Sequence, residues 1–411
     1  MNILFISQEN PYPPDGGHFI RTYNILKMLA EKHRIFFVAT ANTDWRIQFK
    51  YGIERLCENV DIFVVPHGNS RLRYLLSLML NLFSPLPYSA YKNYIDDVKI
   101  KINQLMINNK IDLIHVDILP LALYRQDINH IPNILVNHNV ESLRLYRWMK
   151  FEKNLFIKLF LYYQYLKLYR FEKRMCPKFD RCIVVSEEDQ KILEKMCIIK
   201  NFELLPNGVD IEYFSPQDNM KTIKNSLVWV GGMWHPYNID AVEYFLDDIF
   251  PLIKTEIPDV KISFIGGHPL SKLIKYANKN PNIKVHGYVE DVRKYMQEAA
   301  VFIAPIRSGS GTKIKVLNAL ALEKAVVTTS VGAEGIKVRP DVDIMIADTK
   351  REFAQKTIYL LRHPQKAKIM GRNGRKVIEK YYSWKIVGEK MHRIYKEVSQ
   401  RNLNSYKYSR D

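Results

Sequence analysis

The run "RSGSGTKIK", Arg307 to Lys315, gathers cations, glycines and a hydroxyl into one short stretch. Arg307 can grip two phosphate oxygens as a fork, while Lys313 and Lys315 add point charge. Gly309 and Gly311 let backbone come close to a ligand. The apolar "AVFIAP" precedes the run and "KVLNALAL" follows it, so it lies where a buried strand hands over to a helix starting near Thr312. Helix N-termini carry unpaired N–H groups and a positive dipole end, which attract anions. The GxxxxGK[ST] spacing of a Walker loop is missing, so the segment is no P-loop. The plainer alternative is a Gly-rich loop with solvated lysines.

Other residues fit the same logic. "NPYPPDGGHF" follows the first strand pattern; Pro13 and Pro14 stiffen it, Gly16 and Gly17 permit tight backbone, and a helix starts near His18. Neither this GG, nor those of "WVGGMWHPYN" and "FIGGHPL", completes a GxGxxG dinucleotide fingerprint. His138 in "VNHNVES" falls just past a strand end, where an imidazole can donate to a sugar hydroxyl, or can be merely structural. HExxH, GxSxG and paired His/Asp metal sets are missing from the sequence. The expectation is a site without metal or cofactor, in which Arg and Lys stabilise a leaving diphosphate.

These residues need elements to hold them. Continuous apolar runs at 2–7, 34–40, 60–66, 112–116, 133–137 and 181–186 read as buried parallel strands. A second series runs through 226–232, 261–267, 283–289, 300–305, 325–329 and 343–347, with helical patterns between, notably at 238–254, 312–323 and 349–362. That alternation predicts an α/β protein with two Rossmann-like, doubly wound domains facing across a cleft. The expected boundaries are residues 1–208, a Pro-, Gly- and Asn-rich linker over 209–225, a second domain over 226–380 and a closing helical segment over 381–411.

With 411 residues the chain is long enough for two domains. The net charge of +18 is spread over both halves. This argues against a nucleic-acid-binding arm and fits a protein that handles small anions or rests on an anionic membrane. Cys57, Cys176, Cys182 and Cys197 form no CxxC pair and read as free thiols of a reducing cytoplasm. The start "MNILFISQENPYPP" has no signal-peptide features, and the apolar stretch Tyr74–Phe83 is about half of the ~20 residues a spanning helix needs. A cytoplasmic protein is therefore expected. Residues 151–175 read as one long basic, aromatic helix: a core helix with a solvated face, or one that touches the inner face of a membrane.

Taken in order, "PPDGGHFIRTYNILKMLA", "VNHNVES", "FDRCIVVSEED", "LLPNGVDIEYF", "VGGMWHPYNIDAVEYF", "VHGYVEDVRKYM", "APIRSGSGTKIKVLNALAL" and "TTSVGAEGI" resemble the retaining glycosyltransferases of the GT-B fold, family 4. The likeness is greatest to bacterial members of surface polysaccharide and glycolipid assembly. It implies a donor site in the second domain, an acceptor site mainly in the first, and metal-free transfer of a sugar from a nucleotide-diphosphate donor to a glycan or lipid-linked acceptor. Gly16 and Gly17 would form the loop near donor phosphate and acceptor. His138 would contact the transferring sugar near C6. Thr312, Lys313 and the 309–311 turn would meet the diphosphate. The sequence departs from the family where a Glu-x7-Glu pair reads Ser310 and Asn318, and where an Arg and a Lys read Gly232 and Tyr237. Asn318 can still hold a ribose hydroxyl, Glu334 can contact another, and Arg307, Lys313 and Lys315 would replace the lost cations. A nucleotide-sugar epimerase and a GT-B-like scaffold without catalysis are the alternatives.

Overall fold

The structure, a computed structural model, describes the whole chain except residues 43, 67–69, 128–130, 218–219, 310 and 408–411. It divides into two compact units, Met1–Pro206 with Val387–Asp411, and Asn207–Ile386.

The first unit is built on a seven-stranded parallel sheet. In chain order its strands are β1 (Asn2–Gln8), β2 (Arg34–Ala41), β3 (Asn59–Val64), β4 (Leu113–Val116), β5 (Asn133–Asn137), β6 (Arg181–Val184) and β7 (Phe202–Leu204). They lie side by side as β3-β2-β1-β4-β5-β6-β7. Ile3, Leu4, Phe5 and Ile6 are all buried, because helices cover both sheet faces and leave no solvent side for alternation. The strand β7, beside β6, is too short for its sequence to announce it.

The second unit holds six parallel strands: β8 (Ser226–Val230), β9 (Lys261–Ile265), β10 (Ile283–Gly287), β11 (Val301–Ala304), β12 (Ala325–Thr328) and β13 (Met345–Ile346). Their order is β10-β9-β8-β11-β12-β13. In both sheets the order reverses beside the first strand, between β1 and β4 and between β8 and β11. Loops leave in opposite directions at such a point and open a crevice at the carboxyl ends of the strands.

The helices that matter here are α1 (Gly17–Ala30), α2 (Arg71–Leu82), α3 (Glu141–Phe151), α4 (Leu155–Met175), α5 (Pro236–Tyr244), α6 (Ile314–Ala321) and α7 (Trp384–Lys407). Three differ from the sequence reading. The single helix expected over 151–175 is instead the end of α3 and all of α4: the first ends at Phe151, where Glu152 turns extended, and Asn154 caps the second, accepting from the Phe156 and Ile157 N–H groups. The helix expected over 238–254 continues beyond α5 through a widened turn, Phe245–Ile249, just before Pro251, whose ring and missing N–H disturb the regular ladder. The helix expected near Thr312 begins at Ile314, since Gly309 (φ 108°) and Gly311 (φ 69°) are left-handed and Lys313 is extended. Among the described residues no helix is long and apolar enough to cross a membrane.

Candidate functional site

In the second unit the loops after β8 and β11 meet at the switch point. The first runs through Gly231 and Gly232 into α5, the second from Pro305 through Lys313 into α6. Lys315 joins them: its ammonium donates to Asn238 Oδ1 at 2.8 Å and lies 4.5 Å from the centre of the buried Trp229 ring. Asn238 in turn donates to the Gly232 carbonyl at 2.7 Å, which fixes the β8 loop. A Cβ on Gly231 would stand 2.4 Å from Lys315 Nζ, so a side chain there would push the ammonium aside. Burial, with the Lys313 charge second, lowers the Lys315 pKa to about 7. Near neutral pH the group therefore exchanges readily between amine and ammonium.

Lys313 is buried at the N-terminus of α6 and donates to the Gly311 carbonyl at 2.7 Å. Thr312 is buried beside it. Asn318 lies half-buried on α6, its amide without a hydrogen bond among the described residues. Ser310, at the first of the two departed acid positions, lies outside the described residues. Arg307 differs from the expectation of a fork open to ligand: it forms a two-pronged pair with Asp240 of α5, at 3.1 and 2.6 Å, and stacks over the Tyr244 ring. Thr329, just past β12, bonds the Ile306 carbonyl and ties a third loop to these two; Glu334 is half-buried on that loop's turn.

In the first unit Gly16 caps α1 and Gly17 opens it. Their loop is pinned by the buried Arg46, which donates to the Asn10 and Pro13 carbonyls at 3.0 and 3.2 Å, pairs with Asp15 and covers the Phe19 ring. His138 follows β5, and its Nε2 stands 3.5 Å from Asp117 Oδ1. Asp117, just past β4, also accepts from His115 Nε2 at 3.2 Å, Thr22 Oγ1 at 2.6 Å and Ser7 Oγ at 3.4 Å. Burial alone would raise this carboxyl's pKa; the His138 and His115 rings overcome that and hold it well below the usual carboxylate range. Behind it, His115 Nδ1 bonds the Tyr395 hydroxyl of α7, and burial lowers the His115 pKa. The buried Arg21 donates to the Leu205 and Pro206 carbonyls, both at 2.8 Å. Asn137, next to His138, is buried with both amide atoms unpaired among the described residues.

Sequence reasoning missed Asn238, Trp229, Asp117, His115 and Asn137. Asp117 and Asn137 stand at or just past the carboxyl ends of strands, the positional signal that picked out His138. Nothing in the sequence marks Asn238, since its partner Lys315 is far away along the chain. Among the described residues no group of three His, Cys, Asp or Glu side chains is placed to hold a metal ion.

The fold is shared with the solved structure of Anabaena HepE in complex with UDP: 14% identity, TM-score 0.67, 97% of this chain and 100% of that one covered. Residues 16–213 match the family model described as Glycosyltransferase Family 4, and residues 224–363 the model described as Glycosyl transferases group 1. The chain belongs to the family 4 glycosyltransferases of the GT-B fold. This glycosyltransferase is 22% identical to an uncharacterized 44.6 kDa protein in the cps region of Klebsiella pneumoniae, with 94% of this chain and 97% of that protein covered. It is also 23% identical to the Escherichia coli UDP-Gal:alpha-D-GlcNAc-diphosphoundecaprenol alpha-1,3-galactosyltransferase, over 40% of this chain and 46% of that enzyme.

Proposed function

We propose that this glycosyltransferase moves a hexose from a nucleoside diphosphate sugar, UDP being the first to test, to a glycan or lipid-linked acceptor with retention of anomeric configuration. The observation that carries the reading is the Lys315 ammonium, held between Asn238 and Trp229 at the switch point of the second sheet, with Lys313 at the start of α6. The UDP bound to HepE and the printed activity of the Escherichia coli relative support it. In this scheme Lys313, Lys315, Thr312 and the Gly309–Gly311 turn receive the diphosphate. Asn318 and Glu334 offer partners to donor hydroxyls.

Arg307 is the third cation, ranked behind the lysines because Asp240 already offsets its charge. In the first unit Gly16, Gly17 and His138 serve the acceptor and the transferring sugar, with Asp117 orienting the imidazole. As the sugar–phosphate bond breaks, negative charge grows on the leaving diphosphate, and fixed cations stabilise that state more than the ground state. The leaving phosphate oxygen then takes the acceptor's proton as the acceptor attacks from the same face. No side-chain nucleophile is required.

Titration calorimetry with UDP tests the donor site. Removing one charge-assisted hydrogen bond costs about 1.5–3 kcal/mol, so Lys315→Ala should bind UDP roughly 10- to 100-fold more weakly. Unchanged affinity would remove the basis of this reading. UDP-sugar binding without any donor turnover, even with lipid-linked acceptors present, would favour the scaffold alternative.

A further inference from the structure

Helix α2 is built inside out. Its polar residues Ser77 and Asn81 are 1% and 0% exposed, while Leu72 is 77% and the adjoining Phe83 92% exposed. The inward side chains are all matched. Ser77 Oγ bonds the Tyr88 hydroxyl at 2.8 Å. Asn81 donates to the Leu86 carbonyl at 3.0 Å and accepts from Gln164 of α4 at 2.9 Å. Lys167 donates to the Asn81 carbonyl at 2.6 Å, and Tyr163 to the Leu82 carbonyl. This polar seam fastens α2 to α4 and leaves the apolar side of α2 facing out. The exposed positions 72, 75, 76, 79, 80 and 83 recur at helical spacing, so they form one stripe. The start of α4 extends the surface: Leu155, Phe156, Leu159 and Tyr162 are exposed, Phe156 at 83%. A soluble monomer rarely shows a contiguous apolar patch of this kind without a use for it.

Charge says what covers it. No Asp or Glu occurs from Ile62 to Ile95, nor from Lys153 to Phe171. Arg73 in α2, Lys150 and Lys153 just before α4, and Arg170 in α4 are exposed. A second copy of the same surface would meet its own positive charge, whereas an anionic headgroup layer would not.

We infer that α2 and the first turns of α4 form a docking face for an anionic phospholipid bilayer, with leucines and aromatics entering the headgroup–acyl boundary and the Lys/Arg rim meeting lipid phosphates. The face lies wholly in the first unit and does not depend on the donor reading above.

Co-sedimentation of the full chain with vesicles tests it, using phosphatidylcholine alone and phosphatidylcholine with roughly one-third phosphatidylglycerol. Binding is expected on the anionic vesicles only, falling steeply with added salt. Leu76→Asp with Met79→Asp should lower it at least about tenfold, and Arg73→Glu with Lys153→Glu should also weaken it. All four side chains are exposed, so thermal melts and UDP affinity should match the unmodified chain; these readouts separate lost docking from lost fold or donor site. No binding to anionic vesicles, equal binding to both vesicle types, or full binding by the Leu76/Met79 variant would overturn the proposal. So would a dimer in solution that those two substitutions dissolve.

Discussion

At Lys315 a cation is kept where its charge is costly. Its pKa of about 7 in the folded chain lies well below the ordinary 10.5. Between these values the unfolded chain carries a proton that the folded chain has given up, so stability should rise with pH from about 7 to about 10.5, and Lys315→Met should flatten that rise. A diphosphate beside the amine favours its charged form, so binding near pH 8 should take up protons. Calorimetry of UDP binding in two buffers of different ionisation enthalpy measures this: net uptake is expected for the native chain and none for Lys315→Met. Equal uptake by both would place the proton elsewhere. Arg307 shows how a side chain's state can differ from what its local sequence suggests. Its position beyond β11 was legible from the sequence, but its pairing with Asp240 depends on α5 lying alongside, which no local pattern conveys.

At the scale of elements, most strands were legible because continuous apolar runs admit few other readings in a chain this rich in helical patterns. Helix ends were less so. Asn154 reads as just another polar residue between Lys153 and Leu155 until its side chain is seen taking two backbone N–H groups. The inverted face of α2 was legible only as an apolar stretch, since which side of a helix turns inward is settled by partners such as Gln164 and Lys167 from distant sequence. The loops that meet at the switch point of the second sheet depend on the turn after β9 as well. Gly266 has φ 148°, and a Cβ there would stand 1.8 Å from the Gly231 carbonyl oxygen, a backbone atom that can yield only by moving the β8 loop. Gly266→Ala should therefore lower the melting temperature of the second unit and also weaken UDP binding, by shifting Gly231 away from Lys315. A variant that melts lower yet binds UDP normally would show the two loops to be independent.

Across the whole molecule, chain order and folded units do not coincide. The second unit is inserted between the two pieces of the first, and α7 passes from one to the other at Val387. Val387, Met391, Ile394, Tyr395 and Val398 are all buried there. At about 1.5–3 kcal/mol for each large apolar side chain, their burial rivals the entire 5–15 kcal/mol by which a typical domain is stable. A chain ending at Ile386 should thus keep a folded second unit that still binds UDP, while its first unit melts far lower or not at all cooperatively. Calorimetric scanning of the truncated chain reads both transitions; an unchanged first transition would contradict this assignment.

The Tyr395 hydroxyl reaches His115, His115 reaches Asp117, and Asp117 reaches His138. The His138 imidazole is therefore buttressed from a segment that leaves the ribosome only after the whole second unit. While it is being synthesised, a nascent polypeptide can fold its second unit and still lack the support behind His138, so on the function proposed above an interrupted translation product would hold donor without spending it.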